Sequence, residues 1–506
     1  MNNTLCAARR ALAVISVGLL AGCAAFEAAV PPGVGGPSAE AQVCADWFVQ
    51  LDAATDRAGV RDGSAYRVPG FAYLRVDRFL ASFRGELSDE PQAFSAWVDR
   101  LLQLDQQARD AELRNLPQHF LPVAGVAGKP AAQAQTERCA ILLAHAVLVS
   151  PSARQQLMQR TQVPDDYARW KRALGLYPLT RIPFFKGVEG WQQGAVQQFA
   201  GRSDAAPLLT YAPASGPVAV ERLVALQARI KKDALGLPLL SASDQALLLQ
   251  AHAPQLEIET TGAYDRFGAL FWAAEQAALA GRTAAPEVDQ AQPVVYQRLA
   301  YTRYQGQTLL QLVYSLWFPE RPRTTAVDLL SGLLDGVVVR VTLGPDGAPL
   351  LVDAIHACGC YHLFVTTPRV TPRPAPQAGM EWAFVPATLP ALGLGQRVMV
   401  RLASRSHYVV GVRPAAAGSG AATPYALADD NALRTLPAAG GGTRSAFWPS
   451  GIVPGTERGE RLLFWPMGID SPGAMRQWGR QPTAFVGRRH FDDADLLELR
   501  FRISAP

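Results

Sequence analysis

"GVVVRVTLGPDGAPLLVDAIHACGCYHLFV", Gly336 to Val365, is the stretch on which the reading of the fold turns. Val, Leu and Thr crowd its two arms, and "GPDGAP", Gly344 to Pro349, parts them with the residues that tight turns require. The pattern predicts two antiparallel strands joined as a hairpin. The same period of two continues on both sides, in "LEIET", "PVVYQRLAYTRY", "LLQLVYSLWF", "RVMVRLA" and "HYVVGV". Residues 255–506 are therefore expected to form a mainly antiparallel β-rich domain, sandwich or barrel-like, with loops at 366–377 and 414–445.

Upstream of Pro254 the period becomes helical. "CADWFVQLDAATDRAG" sets Trp47, Phe48 and Leu51 on one side, and "FSAWVDRLLQLDQQARDAEL" does the same with Phe94, Trp97, Leu101, Leu102 and Leu104. "ERCAILLAHAVLVS" is apolar nearly all round and predicts a core helix, His145 included, ended by Pro151. Two more helices are expected at Val220 to Lys232 and Ser243 to Ala251. "GLYPLTRIPFF", Gly175 to Phe185, is expected to be non-helical, because its prolines break helices, and to pack its aromatics. The fold class is thus α+β, a helical domain at 43–254 followed by the β-rich domain.

With 506 residues, 49% of them hydrophobic and 18% charged, the chain is globular in composition and long enough for two or three domains. Its formal charge of +5 is small and scattered, which argues against nucleic acid as a partner. The charge falls to +3 without residues 1–22, which hold Arg9, Arg10 and no acid. Those residues read as a secretory leader: cations, then the uncharged run "ALAVISVGLL", too short to span a bilayer as a helix, then "LAGC", Leu20 to Cys23. "LAGC" resembles the lipobox of bacterial lipoproteins. The resemblance implies acylation of Cys23 and, with Ala24 rather than Asp after it, the outer membrane as the site of anchoring. Residues 23–42, Ala-, Pro- and Gly-rich after Cys23, read as a flexible tether. "GLYPLTRIPFF", "LLQLVYSLWFPERP" and "IHACGCYH" resemble a group of uncharacterised proteobacterial lipoproteins, a likeness that implies no activity.

Of six cysteines, Cys6 falls in the leader and Cys23 on the lipid, leaving Cys44, Cys139, Cys358 and Cys360. Outside the cytoplasm an even remainder suggests pairing, and Cys44 with Cys139 is the expected disulfide, since both lie in helix-like sequence of the first half. Closing that loop is worth ~3–4 kcal/mol in the chain-entropy model.

"HACGCYH" then holds two histidines and two cysteines at alternate positions. On one continuous strand, His356, Cys358, Cys360 and His362 share a face, with the two histidines about 20 Å apart at ~3.3 Å per residue. One metal cannot easily take all four unless the strand bends at Gly359. Both cysteines, one histidine and a ligand from His407 or His490, the latter beside Asp492 and Asp493, make an easier set for Zn or Cu. A strained Cys358–Cys360 bond would instead be a redox pair. One cysteine with His356 or His362 as base would be a nucleophile, and the fourth alternative is a packed, structural cluster.

Weaker candidates are Tyr314, Trp317 and Phe318 as a stacking platform, with core packing as the alternative, and "VGRRHFDDADLLELRFR" as a polar groove or solvated strand edge. His119 and His252 stand alone. No H-E-x-x-H, G-x-S-x-G or S-x-x-K motif is present, which removes the commonest zinc-protease, α/β-hydrolase and penicillin-binding signatures. The first functional expectation is a non-catalytic lipoprotein on the periplasmic face of the outer membrane, with an unidentified envelope partner and a Cys/His metal or structural site. The second is a periplasmic enzyme working through Cys358 or Cys360.

Overall fold

The computed structural model describes residues 38–87, 90–121, 128–201, 206–273, 284–416 and 422–504. The leader, Cys23 and most of the tether lie outside these residues. The tether ends earlier than expected, because Ser38 accepts the Ala41 N–H and caps a helix at Ala39.

The helical part rests on three long helices, α1 (Ala39–Arg57), α2 (Pro91–Asn115) and α3 (Gly128–Val149). They bury Trp47, Phe48, Leu51, Phe94, Trp97 and Leu101 in one core. Cys44 and Cys139 are bonded, with Cα atoms 5.0 Å apart, which staples α1 to α3. The all-round apolar expectation for α3 is corrected: one side packs on the core, while Ile141, Val149 and His145 face solvent. Pro151 ends α3 and opens the next helix, α4 (Pro151–Arg160), where its missing N–H costs nothing.

A hairpin, β1 (Tyr66–Val68) and β2 (Phe71–Val76), sits among these helices and turns at Gly70 with φ +81°. It delivers Arg75 into the core, where its guanidinium lies 3.1 Å from Asp105 and 2.6 Å from Glu112. Arg109 joins the same cluster, 3.0 Å from Glu112 and 2.6 Å from Asp52. Burial opposes ionisation of Glu112, yet the surrounding arginines outweigh it and hold the carboxyl down to about 2.

"GLYPLTRIPFF" departs most from expectation. Arg169–Leu174 form a short helix, α5, and Tyr177–Ala200 a helix of 24 residues, α6, which runs through Pro183. Pro178 falls in the first turn, so only Pro183 removes an internal hydrogen bond, and the helix absorbs that loss. Its aromatics Tyr177, Phe184 and Phe185 are half-buried, Phe184 against Phe464, while Leu179 and Ile182 are exposed and Ala195 is the one fully buried residue of α6. Helices α7 (Val220–Arg229) and α8 (Ala242–His252) follow, the latter opened by a reciprocal Ser241–Asp244 capping box.

The β part is a large, nearly closed mixed sheet. Its strands in chain order are β3 (Leu208–Pro213), β4 (Gln255–Glu259), β5 (Val294–Tyr304), β6 (Gln307–Arg321), β7 (Gly332–Leu343), β8 (Pro349–His356), β9 (Leu363–Thr366), β10 (Ala387–Thr388), β11 (Val398–Leu402), β12 (Val409–Pro414) and β13 (Thr423–Asp429). They lie in the order β10-β9-β8-β7-β6-β5-β13-β3-β4-β11-β12. Six of the ten pairings are antiparallel and four parallel, so the sheet is mixed. The predicted hairpin is present, with Gly344 N–H donating to Ala348 O across its turn and Gly347 at φ +78°. The expectation of a loop throughout 414–445 is corrected. Within it β13 pairs with β3 and β5, and its Tyr425 is buried and bonded to Pro254 O. The 366–377 segment likewise contributes Val370–Pro372, paired with Phe501–Ile503. Strand β3 comes from the stretch expected to be wholly helical. Tyr314, Trp317 and Phe318 are core residues of β6.

Candidate functional site

Strands β8 and β9 pair antiparallel with Ala354 opposite Leu363, so the expected single strand through "HACGCYH" is instead a tight hairpin. His356 N–H donates to Cys360 O at 3.0 Å and Gly359 N–H to His356 O at 2.8 Å. Gly359 turns the chain with φ +97°, and a Cβ there would sit 2.2 Å from Pro482 O, so the position accepts only glycine. Tyr361 also has positive φ, +63°. Ala357 ties the turn down on both sides, donating to Gly336 O at 2.8 Å and accepting from Arg476 N–H at 3.1 Å.

The reversal sends the two histidines to opposite faces of the sheet. His356 follows the parity of Val352 and Ala354, and its Nδ1 lies 3.6 Å from Asp335. His362 Nε2 lies 2.9 Å from Asp353, itself clamped by Arg340, while Phe364 and Phe491 flank the ring. Burial lowers the pKa of both rings, that of His362 to about 3. His356 Nε2 and His362 Nδ1 are buried without a hydrogen-bond partner, and neither ring bonds a thiol among the described residues.

Of the other candidate ligands, His407 shares Asp335 with His356, while His490 lies in a network of its own. His407 stacks on Phe318 at 3.9 Å and binds Asp335 through Nδ1 at 2.9 Å, with Asp265 3.6 Å from Nε2. Burial opposes protonation of His407, but the two carboxylates prevail and its pKa rises. His490 sits between Asp166 and Asp493, at 3.3 and 3.4 Å, and Asp492 pairs with Arg78. Burial opposes the His490 charge too, and those carboxylates raise it to about 9. "VGRRHFDDADLLELRFR" is therefore a partly buried ion cluster followed by a short helix and strand, not an exposed strand edge. No group of three or more His, Cys, Asp or Glu side chains is arranged to hold a metal among the described residues.

The turn does bring the two cysteines together. Cys360 N–H points at Cys358 Sγ, 3.4 Å away, and among the described residues neither is bonded to another cysteine. Cys358 is buried and Cys360 half-buried, and both form part of the wall of a cavity of about 440 Å³. Helix α6 covers one side with Phe184, Val188 and Trp191; Phe464 and Phe485 stand on another. The hydrogen bond to Cys358, then burial, push the Cys360 thiol well above its ordinary value. Arg476 is buried close enough to interact with both thiols, although its guanidinium is spent on the carbonyls of Asp470 and Ser471.

Glu460 also lines the cavity. Burial raises it to about 7 despite Arg458 and Arg321 nearby, and it makes no ion pair among the described residues. Glu381, raised by burial, accepts the N–H groups of Phe485 and Val486 at 2.6 and 2.8 Å. The site thus gathers two thiols, a carboxyl that titrates near neutrality and an aromatic-lined space. Glu460, Arg476 and Trp191 carry no signal in the sequence, because they arrive from segments about 100 or more residues away from the turn.

No family model, curated protein or solved structure matches the chain.

Proposed function

We propose that the protein is a lipoprotein held at the outer membrane through Cys23, facing the periplasm, whose working centre is the Cys358–Cys360 dithiol. The observation that carries this reading is the placement of two cysteines side by side on the wall of one cavity. Such a pair exchanges with a disulfide substrate. One thiolate attacks a substrate sulfur and releases the other half, which takes a proton. The second cysteine then attacks the mixed disulfide, frees the remaining half as a thiol and leaves a Cys358–Cys360 bond. Two electrons pass from the pair to the substrate. Cys360 holds its proton tightly, so Cys358, which receives the Cys360 N–H, is assigned the attack and Cys360 the resolving step. Glu460, which shares the cavity wall with both cysteines and is raised by burial to about 7, is assigned the proton relay.

The cysteine pair supports a second reading, in which the thiolates and the open Nδ1 of His362 at the same cavity take Cu(I) or Zn. One experiment separates the two. The purified chain is equilibrated across glutathione redox buffers, its thiols are counted by mass after alkylation, and its metal is measured. The dithiol reading expects two thiols to disappear in one two-electron step, lost in Cys358→Ser and in Cys360→Ser. About one equivalent of copper or zinc, released by either substitution, would favour the metal. Two thiols inert across the range and no metal would sink both.

A further inference from the structure

Helix α6 packs one side on the body through Phe184, Val188, Trp191 and Phe199 and, among the described residues, leaves large apolar side chains exposed elsewhere. Leu179 is 65% exposed and Ile182 55%, and α5 beside it leaves Trp170 and Leu174 exposed at 62% and 70%. A third element, α9 (Arg461–Phe464), adds Leu462 and Leu463, followed by the partly exposed Trp465. These segments form one surface. Ala168 N–H donates to Gly468 O at 2.8 Å, Arg172 Nε to Met467 O at 2.8 Å, and the Phe184 and Phe464 rings meet edge-on at 5.0 Å. So large an apolar face on a folded body marks an interaction site.

Its charge points to the partner. From Arg169 to Glu189 the chain carries five cations, Arg169, Lys171, Arg172, Arg181 and Lys186, against one acid, the exposed Glu189. Lys171 meets the exposed Asp470 at 2.9 Å, and Arg172 is spent on carbonyls. Arg169, Lys186 and Arg461 are exposed. Leu, Ile, Phe and Trp interleaved with Lys and Arg, on helices of which none among the described residues can cross a bilayer, fit the plane of an anionic lipid surface. The rings and aliphatic chains would enter the headgroup region while the cations reach back to phosphates.

We infer that the α5–α6–α9 face seats the body on an anionic phospholipid surface and turns the mouth of the dithiol cavity toward the lipid. Phe184 and Phe464 belong to both features, lying between the exposed face and the cavity wall. The inference rests on the lipoprotein reading for a membrane being within reach of the face, and on the dithiol reading only for what the mouth serves.

The test mixes the full-length chain with vesicles of phosphatidylethanolamine and phosphatidylglycerol whose acyl chains carry bromine, a contact quencher of tryptophan. Trp170 and Trp465 are the exposed tryptophans of the face, whereas Trp47, Trp97 and Trp317 are buried. Emission is expected to fall and shift to the blue. The effect should vanish in a Trp170→Phe and Trp465→Phe double variant and in a Leu174→Glu, Leu179→Glu, Leu462→Glu triple variant, and weaken with salt or with phosphatidylcholine alone. The conservative tryptophan pair reads the same surface even if the triple variant folds poorly. A chain that reaches the vesicles with these tryptophans unquenched overturns the inference. So does self-association in lipid-free buffer that the triple variant removes, which would give the face to a second copy. Counting the Cys358 and Cys360 thiols without vesicles keeps the dithiol reading separately decidable.

Discussion

Beneath α2, Arg75 and Arg109 are buried against Asp105, Glu112 and Asp52 with each cation within 3.1 Å of a carboxylate, whereas Glu460 is buried at the cavity wall with arginines near it and no ion pair among the described residues. Both places hold charge out of water. In the first, the arginines outweigh desolvation at Glu112, whose carboxyl stays ionised, although burial still raises Asp105 beside it. In the second the compensation is incomplete, the Glu460 carboxyl is driven up toward neutrality, and open space lies next to it. Paired burial marks structure, and unpaired burial at a cavity marks chemistry.

Removing one partner from the paired cluster should have the largest effect. Glu112→Ala takes one carboxylate from Arg75 and Arg109, leaving them Asp105 and Asp52 for two buried cations, and is expected to cost about 3–5 kcal/mol in a denaturant titration. A loss below about 1 kcal/mol would mean that water enters and the cluster is not closed to solvent. Acid should act in the same direction. Glu112 is held near 2 in the fold against an ordinary 4.5, so its contribution is complete above 4.5 and disappears as pH falls toward 2.

The disulfide that braces this region comes next. Cys44→Ser with Cys139→Ser opens a loop whose ends are 95 residues apart and is expected to lower stability by about 3–4 kcal/mol. Thiol exchange at Cys358 and Cys360 should continue in whatever fraction stays folded. If exchange disappears while the double variant is still folded, the two regions are not independent.

Glu460→Gln should invert the pH behaviour seen at Glu112. The Glu460 pKa is raised, so the unfolded chain ionises first and stability falls as pH rises from about 4.5 to 7. The amide removes that slope and should leave the variant more stable at pH 8, by at most about 3 kcal/mol. Exchange by the dithiol should slow and lose the ionisation near pH 7 from its rate profile. An unchanged profile would remove Glu460 from the proton path.

Much of this contrast was legible in the sequence on one side only. The change from helical to alternating period located the helices and the sheet, and "GPDGAP" marked its hairpin. The Cys44–Cys139 pair followed from counting. Reading "HACGCYH" as one strand failed at Gly359, because five residues with two positive φ values reverse the chain and send His356 and His362 to opposite faces. The "YRVPGFAYLRV" hairpin, which carries Arg75, was hidden inside a helical stretch although Pro69 and Gly70 marked its turn. Strand β13 was hidden by the Ala and Gly around it, and its pairing partners β3 and β5 lie far away in sequence. Local pattern reports period; it does not report which distant segment closes over a turn.

Helices α3 and α6 carry the comparison to the surface. Both are long and largely apolar, yet α3 buries seven residues and is stapled to α1, while α6 buries one. Leu143→Ala in α3 should therefore cost about 2–5 kcal/mol. Leu179→Glu in α6 should stay within about 0.5 kcal/mol, because its side chain is already in water. The same glutamate should nonetheless reduce quenching in the brominated-vesicle assay, since it puts an acid among Arg169, Arg181 and Lys186. Unchanged stability together with weaker quenching by lipid is the signature of a face kept apolar for a partner. A substantial loss of stability would mean instead that α6 packs on the body more tightly than its exposure allows, and that its apolar side chains belong to the fold.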